Sequence, residues 1–382
     1  GSSSIQSASN GVEVLPLPNA WLQRMAIYAR VEHRPSRGFD VSVRNLFSND
    51  YFLARERFLK EAADASLITE TFQHPVQSDP RGLIATDVVR LGPLRANRVL
   101  FVLSGVHGTE LTAGSGLQVG LIEKYADSLP PDTATVFVHA VNAVGSARCR
   151  RTDEGNVDPN RNVRDFSKPL PHNDAYAELH AAICPVNWSG PGRDQAEAEI
   201  ATWVQANGQD GLTKNVLRGQ YEFQDGLFYG GNKRIWCVEN LISIIQQQTG
   251  DAEYVAVLDL HTGLGPKGHG EPMRMHEIAR DGADWELIGG LVVDLIDDVV
   301  SPAKGLKVLL EFGTVDFDSI LEAQRADNWL MRQGDPDTEQ GRQIKNDIKN
   351  ALFIDEPDWC QSIYDQTLTI TEDLLKELVS LN

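Results

Sequence analysis

The stretch Asn97–Asp127, NRVLFVLSGVHGTELTAGSGLQVGLIEKYAD, decides the fold. Val99 to Leu103 is an apolar run of strand length, bounded by Ser104-Gly105. From Leu111 the pattern turns helical, with a glycine-rich first half, so the start of that helix packs closely on a neighbour. Between strand and helix stand His107 and Glu110, three residues apart, with Gly105 and Gly108 letting the backbone turn tightly around them.

The same alternation continues outward. Segments 84–93 (IATDVVRLGP), 133–142 (TATVFVHAVN), 255–263 (VAVLDLHTG) and 306–314 (LKVLLEFGT) read as further strands. Residues 50–65 (DYFLARERFLKEAADA) form an amphipathic helix, and helical spacing occupies 174–183, 194–206, 237–249, 284–299, 318–331, 339–353 and 360–379. Apolar strands separated by helices imply an α/β fold: a three-layer α/β/α sandwich around a mixed, mostly parallel sheet. The division expected is an N-terminal extension over 1–45, in which 19–32 has helical spacing and 32–38 reads as loop, and one catalytic domain over 46–382.

Composition narrows the class. Thirty-five basic against 54 acidic residues give a net charge of −19, which argues against a general nucleic-acid binder and against docking on an anionic membrane. Cys149, Cys184, Cys237 and Cys360 form no CxxC and no close pair, so neither a disulfide framework nor a zinc ribbon is expected, and a reducing, cytoplasmic setting fits. No apolar run is long enough to span a bilayer, and Gly1–Ser4 reads as a flexible lead rather than a signal peptide. A serine hydrolase lacks its G-x-S-x-G signature; Gly114-Ser115-Gly116 falls inside a helix.

In open parallel sheets, ligands bind beyond the carboxyl ends of the strands. Four buried strands here end in chemically able residues: His107 with Glu110, Asn142, His261 and Glu311. A catalytic zinc site takes three protein ligands and keeps a position open. His107-x-x-Glu110 is a near pair and His261 a distant third, giving one Zn2+; without metal, the pair reads as a satisfied histidine and an acid opening a helix. His269 and Glu271, in the Gly/Pro stretch GPKGHGEP, are expected as loop residues near the site mouth and outside the ligand set. His139 reads as a packed histidine within its strand, and His172, His180 and His276 as surface or helix residues. Glu311 ends an otherwise apolar strand, which is costly unless the carboxylate is paired or works as a general base beside an activated water. Residues 142–162 read as a long loop carrying Arg148, Arg150, Arg151 and Arg161, with Arg164 just after. These suit an oxyanion or a substrate carboxylate, unless Asp153, Glu154, Asp158 and Asp165 neutralise them.

This order of motifs resembles the zinc carboxypeptidase (M14-like) superfamily: His107-x-x-Glu110, Asn142-x-x-Gly145, Arg151 ahead of Asp158–Asn162 (DPNRN), a far DLHTG and a strand-end Glu311. It is most similar to the DUF2817 branch, through 219–231 (GQYEFQDGLFYGG), DLHTGLGP, LEFGTV and the helix ARERFLKEAADA, over about residues 45–380. The resemblance implies a zinc metallopeptidase or amidohydrolase. His107, Glu110 and His261 would hold zinc, Glu311 would be general base and acid, and Arg151, or its neighbour Arg150, would polarise the scissile carbonyl. Asn160 and Arg161 would clamp a terminal carboxylate, and Tyr229 is the candidate for the family's substrate-facing tyrosine. Asn142-Ala143-Val144-Gly145 departs from the usual Asn-Pro-x-Gly, so proline no longer fixes that turn. The expected substrate is a small peptide or an acylated amino acid. Carboxypeptidase-like cleavage is the first reading, an N-acyl amino acid deacylase of desuccinylase or aspartoacylase type the second, and a silent zinc or ligand-binding protein the rival of another class.

Overall fold

The structure, a computed structural model, describes residues 42–274, 289–300 and 304–381. In chain order it contains α1 (Tyr51–Asp64), β1 (Thr69–Gln73), β2 (Ala85–Leu91), β3 (Arg98–Leu103), α2 (Leu111–Tyr125), β4 (Thr133–His139), α3 (Ala143–Ala147), α4 (Pro159–Asn162), α5 (Asp174–Ile183), α6 (Pro191–Asn207), α7 (Gln209–Leu217), α8 (Trp236–Thr249), β5 (Tyr254–Lys267), β6 (Gly270–Arg274), α9 (Leu295–Val299), β7 (Lys304–Gly313), α10 (Phe317–Gln333), α11 (Glu339–Leu352) and α12 (Pro357–Ser380).

The strands form one seven-stranded sheet in the order β1-β2-β4-β3-β5-β7-β6. β4, β3, β5 and β7 run parallel, while β1, β2 and β6 add antiparallel edges, so the sheet is mixed. β3 is apolar at every position after Arg98 because both of its faces are covered. Leu100 and Val102 join one core with Phe58 of α1, Leu117 of α2 and Ile363 of α12. Val99, Phe101 and Leu103 point the other way, into a core with Val238, Leu241 and Ile245 of α8. Helices on both faces make the α/β/α layering. The glycine-rich half of α2 packs as closely as its composition suggests. A Cβ on Gly114 would meet Ser104 Cβ at 2.7 Å, and one on Gly116 would meet Phe47 at 2.3 Å.

α5, α6 and α7 form a separate cluster around Tyr176, Leu179, Ile183, Leu212 and Val216, joined by Leu227 and Phe228. Ile320 of α10 packs with Ile348 and Leu352 of α11.

The structure departs from the sequence reading in several places. β1 and β6 are strands although TETFQ and GEPMR carry no apolar run, and α7 is a helix not foreseen. The segment holding His269 and Glu271 is therefore partly an edge strand, and residues 142–162 contain α3 and α4 rather than one long loop. The helix expected over 284–299 is confined, among described residues, to a turn at Val292–Asp294 and to α9. The expected helix over 19–32, the loop over 32–38 and His276 lie outside the described residues.

Candidate functional site

β3, β5 and β7 are hydrogen-bonded neighbours running in one direction, so their carboxyl ends share one edge of the sheet. β3 leads into the turn Gly108–Glu110, which carries His107 at its start and Glu110 at its end. β5 supplies His261, and β7 supplies Glu311 as its register partner. The turn is pressed against α3: a Cβ on Gly108 would fall 2.1 Å from the carbonyl carbon of Gly145 and 2.2 Å from Ser146 N. Asn142 shapes that helix without the usual proline, its side chain accepting from Gly145 N at 3.0 Å.

His107 Nδ1 lies 2.8 Å from Glu110 Oε1, and His261 Nδ1 lies 2.7 Å from Glu110 Oε2. One ligand atom from each of the three residues falls within 4.8 Å of the others, and all three residues are buried. The outer nitrogens are held by aspartates: His107 Nε2 sits 3.1 Å from Asp158 Oδ1, and His261 Nε2 sits 2.8 Å from Asp259 Oδ2. When each aspartate takes the Nε2 hydrogen, each neutral ring presents its Nδ1 lone pair toward the Glu110 carboxylate. Lone pairs facing carboxylate oxygens call for a cation between them. Two imidazoles, one carboxylate and aspartates behind the imidazoles fit zinc.

The electrostatics agree with a cation-seeking centre. Burial pushes the Glu110 carboxyl up, but His107 and His261 outweigh it and hold it well below the usual range. Asp158 behaves alike, with Arg151 and His107 outweighing burial. Burial opposes the charge on His261, but Asp259 and Glu110 drive its affinity for protons well above the ordinary value. Glu311 differs: burial, then the charge of Glu110, push its carboxyl up to about 7.

A cavity opens over this centre. His107, Glu110, His261, Arg151, Asn160, Arg161 and Glu311 all line it. Arg151 donates from Nε to Asp158 Oδ2 at 2.8 Å, its Nη1 lies 3.8 Å from Glu110 Oε1, and its guanidinium stands 4.5 Å above the Phe228 ring. Arg161 uses Nη1 and Nη2 on the carbonyls of Asn160 and Leu217, leaving Nε without a partner among described residues. Asn160 accepts from Val292 N at 2.8 Å, and its Nδ2 lies 3.3 Å from His261 Nε2. Glu311 Oε1 accepts from Leu264 N at 2.9 Å.

Other candidates lie elsewhere. Arg150 is turned away from the His-Glu-His centre, donating to Thr152 and Asn156 and lying 3.5 Å from Asp327 Oδ2, beside a smaller cavity. The adjacent arginines point apart because Cys149 takes a left-handed backbone (φ 48°) and Arg150 N returns to Gly145 O. Tyr229 is packed in the core against the sheet, and Phe228 before it faces the cavity. His269 lies 3.6 Å from Glu271 Oε2, and neither lines the cavity, although Glu271 is the register partner of Glu311. His139 is buried, stacked on Phe58 at 4.6 Å.

Asp158, expected only among the acids neutralising the arginines, and Asp259, noted only for its place beside His261, are the side chains that stand behind the two imidazoles. The two-residue spacing puts Asp259 on the same strand face as His261. Asp158 neutralises Arg151, as its place among the loop acids suggested, and it also caps α4, accepting from Asn160 N at 2.9 Å; its contact with His107 had no signal in the sequence.

Solved structures similar to this one include bovine thrombin-activatable fibrinolysis inhibitor in complex with tick carboxypeptidase inhibitor (TM-score 0.37, 12% identity, covering 85% of this chain and 98% of that one). The succinylglutamate desuccinylase from Chromobacterium violaceum has a TM-score of 0.32 and 15% identity, covering 77% of this chain and 76% of that one. Fimbriiglobus ruber glutaminyl cyclase also has a TM-score of 0.32, with 12% identity, covering 86% and 99%. No curated protein matches the chain in sequence. Residues 47–366 match the model of the family described as "Protein of unknown function (DUF2817)". With that match spanning most of its length, the chain belongs to the DUF2817 family.

Proposed function

We propose that the chain is a zinc-dependent hydrolase that cleaves an amide or peptide bond next to a free carboxylate, as a carboxypeptidase does. The observation that carries this reading is the convergence of one His-Glu-His donor set with Arg151 and Glu311 in a single cavity. His107, Glu110 and His261 would hold the ion. Zinc, when bound, supplies Lewis acidity toward the amide carbonyl and toward water.

The protein's own groups do the rest. Glu311, with its raised proton affinity, takes a proton from the attacking water and delivers it to the leaving amine. Arg151, oriented through Nε by Asp158, turns its remaining N–H groups toward the carbonyl oxygen as negative charge builds there. Arg161, which lines the same cavity, brings its positive charge to the substrate carboxylate. Asn160 accepts from Val292 N through its side-chain oxygen, which fixes the loop and leaves its amide N–H groups for the substrate carboxylate.

The test is metal analysis and an amide-hydrolysis screen on one sample. Stoichiometric zinc with turnover is expected, and Glu311→Gln should keep the zinc while losing about 100- to 10,000-fold in rate. Release of a C-terminal amino acid supports the carboxypeptidase reading; release of acetate or succinate from an acylated amino acid replaces it with the deacylase. Bound zinc without turnover on any amide leaves a ligand-binding protein, and equal activity of wild type and variant refutes the mechanism.

A further inference from the structure

Beside His107, Glu110, His261, Glu311 and the two arginines, much of the cavity lining is hydrocarbon. Phe317 and Ile320 line it from α10 at positions i and i+3, and Gln324 at i+7 adds one amide to the same helix face. Leu309 lines it from β7, two residues before Glu311 and therefore on the same strand face, and Leu352 closes it from the end of α11. These groups meet Glu311 at Gly263. A Cβ there would lie 3.2 Å from Glu311 Oε1, 3.5 Å from Leu352 Cδ2 and 3.7 Å from Ile320 Cδ1. The reacting carboxyl thus sits beside two aliphatic ends, with room where a side chain at 263 would stand.

Among the described residues, the cations of the cavity are Arg151 and Arg161. Arg151 is paired with Asp158, and Arg161 gives one N–H from each Nη to a backbone carbonyl. Those two arginines can serve one substrate carboxylate. A second charged group, pushed against Leu309, Ile320 and Leu352, would lose its hydration without finding a counter-ion.

We infer that this site takes substrates whose second recognised group is apolar, branched aliphatic or aromatic, lodged between α10 and Leu309, and that it excludes dicarboxylic acyl groups such as succinyl. This rests on the amide-hydrolase reading and narrows it to one substrate class.

Two measurements test it on the full, zinc-loaded chain. The first compares kcat/KM for benzoylglycyl dipeptides ending in Phe, Leu, Glu or Lys, and for hexanoyl- against succinyl-amino acids. Apolar members should exceed charged ones by at least about tenfold, the scale on which an apolar pocket discriminates. Phe317→Arg, at the half-exposed first turn of α10, should narrow or reverse the Phe-over-Glu preference. The second is ligand-induced thermal stabilisation of Glu311→Gln, where hydrocinnamate should act at lower concentration than succinate. Equal or greater use of charged substrates, an unchanged preference in Phe317→Arg, or stronger stabilisation by succinate overturns the inference. If no amide is hydrolysed, the hydrolase reading fails, and the order of the two ligands still decides the pocket.

Discussion

Arg151 joins the parts of the site that would otherwise be separate. Its Nε bonds one oxygen of Asp158, whose other oxygen lies against His107 Nε2, so the arginine and this histidine share one buried anchor. Phe228 supports the guanidinium from below, itself held in a left-handed backbone conformation (φ 51°) that is uncommon for an aromatic residue. Removing the guanidinium should therefore act on the transition state and leave the metal in place. Arg151→Ala is expected to lower kcat by about 100- to 1,000-fold, the usual cost of one oxyanion donor, with zinc stoichiometry unchanged. Arg151→Lys should fare little better, because an ammonium cannot bond Asp158 and face the carbonyl from one planar fork. Steady-state kinetics with metal analysis of the same preparations checks both.

β5 shows how an element sets the chemistry. Asp259 and His261 are two residues apart, so the strand turns both to one face, and neighbours β3 and β7 fix that face in register. The aspartate then orients the ring at 2.8 Å without any loop rearrangement. Asp259→Asn should weaken zinc affinity by about 10- to 100-fold, as loss of a ligand's carboxylate partner does elsewhere. Chelator competition measures it, with circular dichroism to show that the sheet survives. β5 also shows what a sequence discloses. Its apolar run, ended by Asp-Leu-His, marks a buried strand delivering a polar group, and β3 and β7 read alike; both core faces of the sheet follow from such runs. β1 and β6 escape because edge strands need only one neighbour and carry polar or Gly/Pro-containing sequences. The direction of Arg150 escapes because the backbone reversal at Cys149 depends on contacts with Gly145, which adjacency in sequence does not reveal.

At the scale of the whole molecule, one buried group outside the site links the core to pH. His139 closes β4, lies 2.9 Å through Nε2 from Ser115 Oγ of α2 and stacks on Phe58 of α1, so it ties the sheet to both helices of one layer. Burial, assisted by the nearby charge of Arg55, lowers its pKa to about 3. The unfolded chain binds the proton near the ordinary histidine value, about 6.5, so between about 3 and about 6.5 the unfolded state holds more protons than the folded one. Stability from the neutral ring is complete above that window and is lost as pH falls through it, at no more than about 1.4 kcal/mol per pH unit from this residue. His139→Gln cannot titrate and can still hydrogen-bond Ser115. Denaturant unfolding between pH 7 and pH 4 should therefore show a shallower acid decline for the variant than for wild type, whatever their difference at pH 7. Parallel declines would mean that His139 gains its proton without opening the core between β4, α1 and α2, and that acid sensitivity arises elsewhere in the chain.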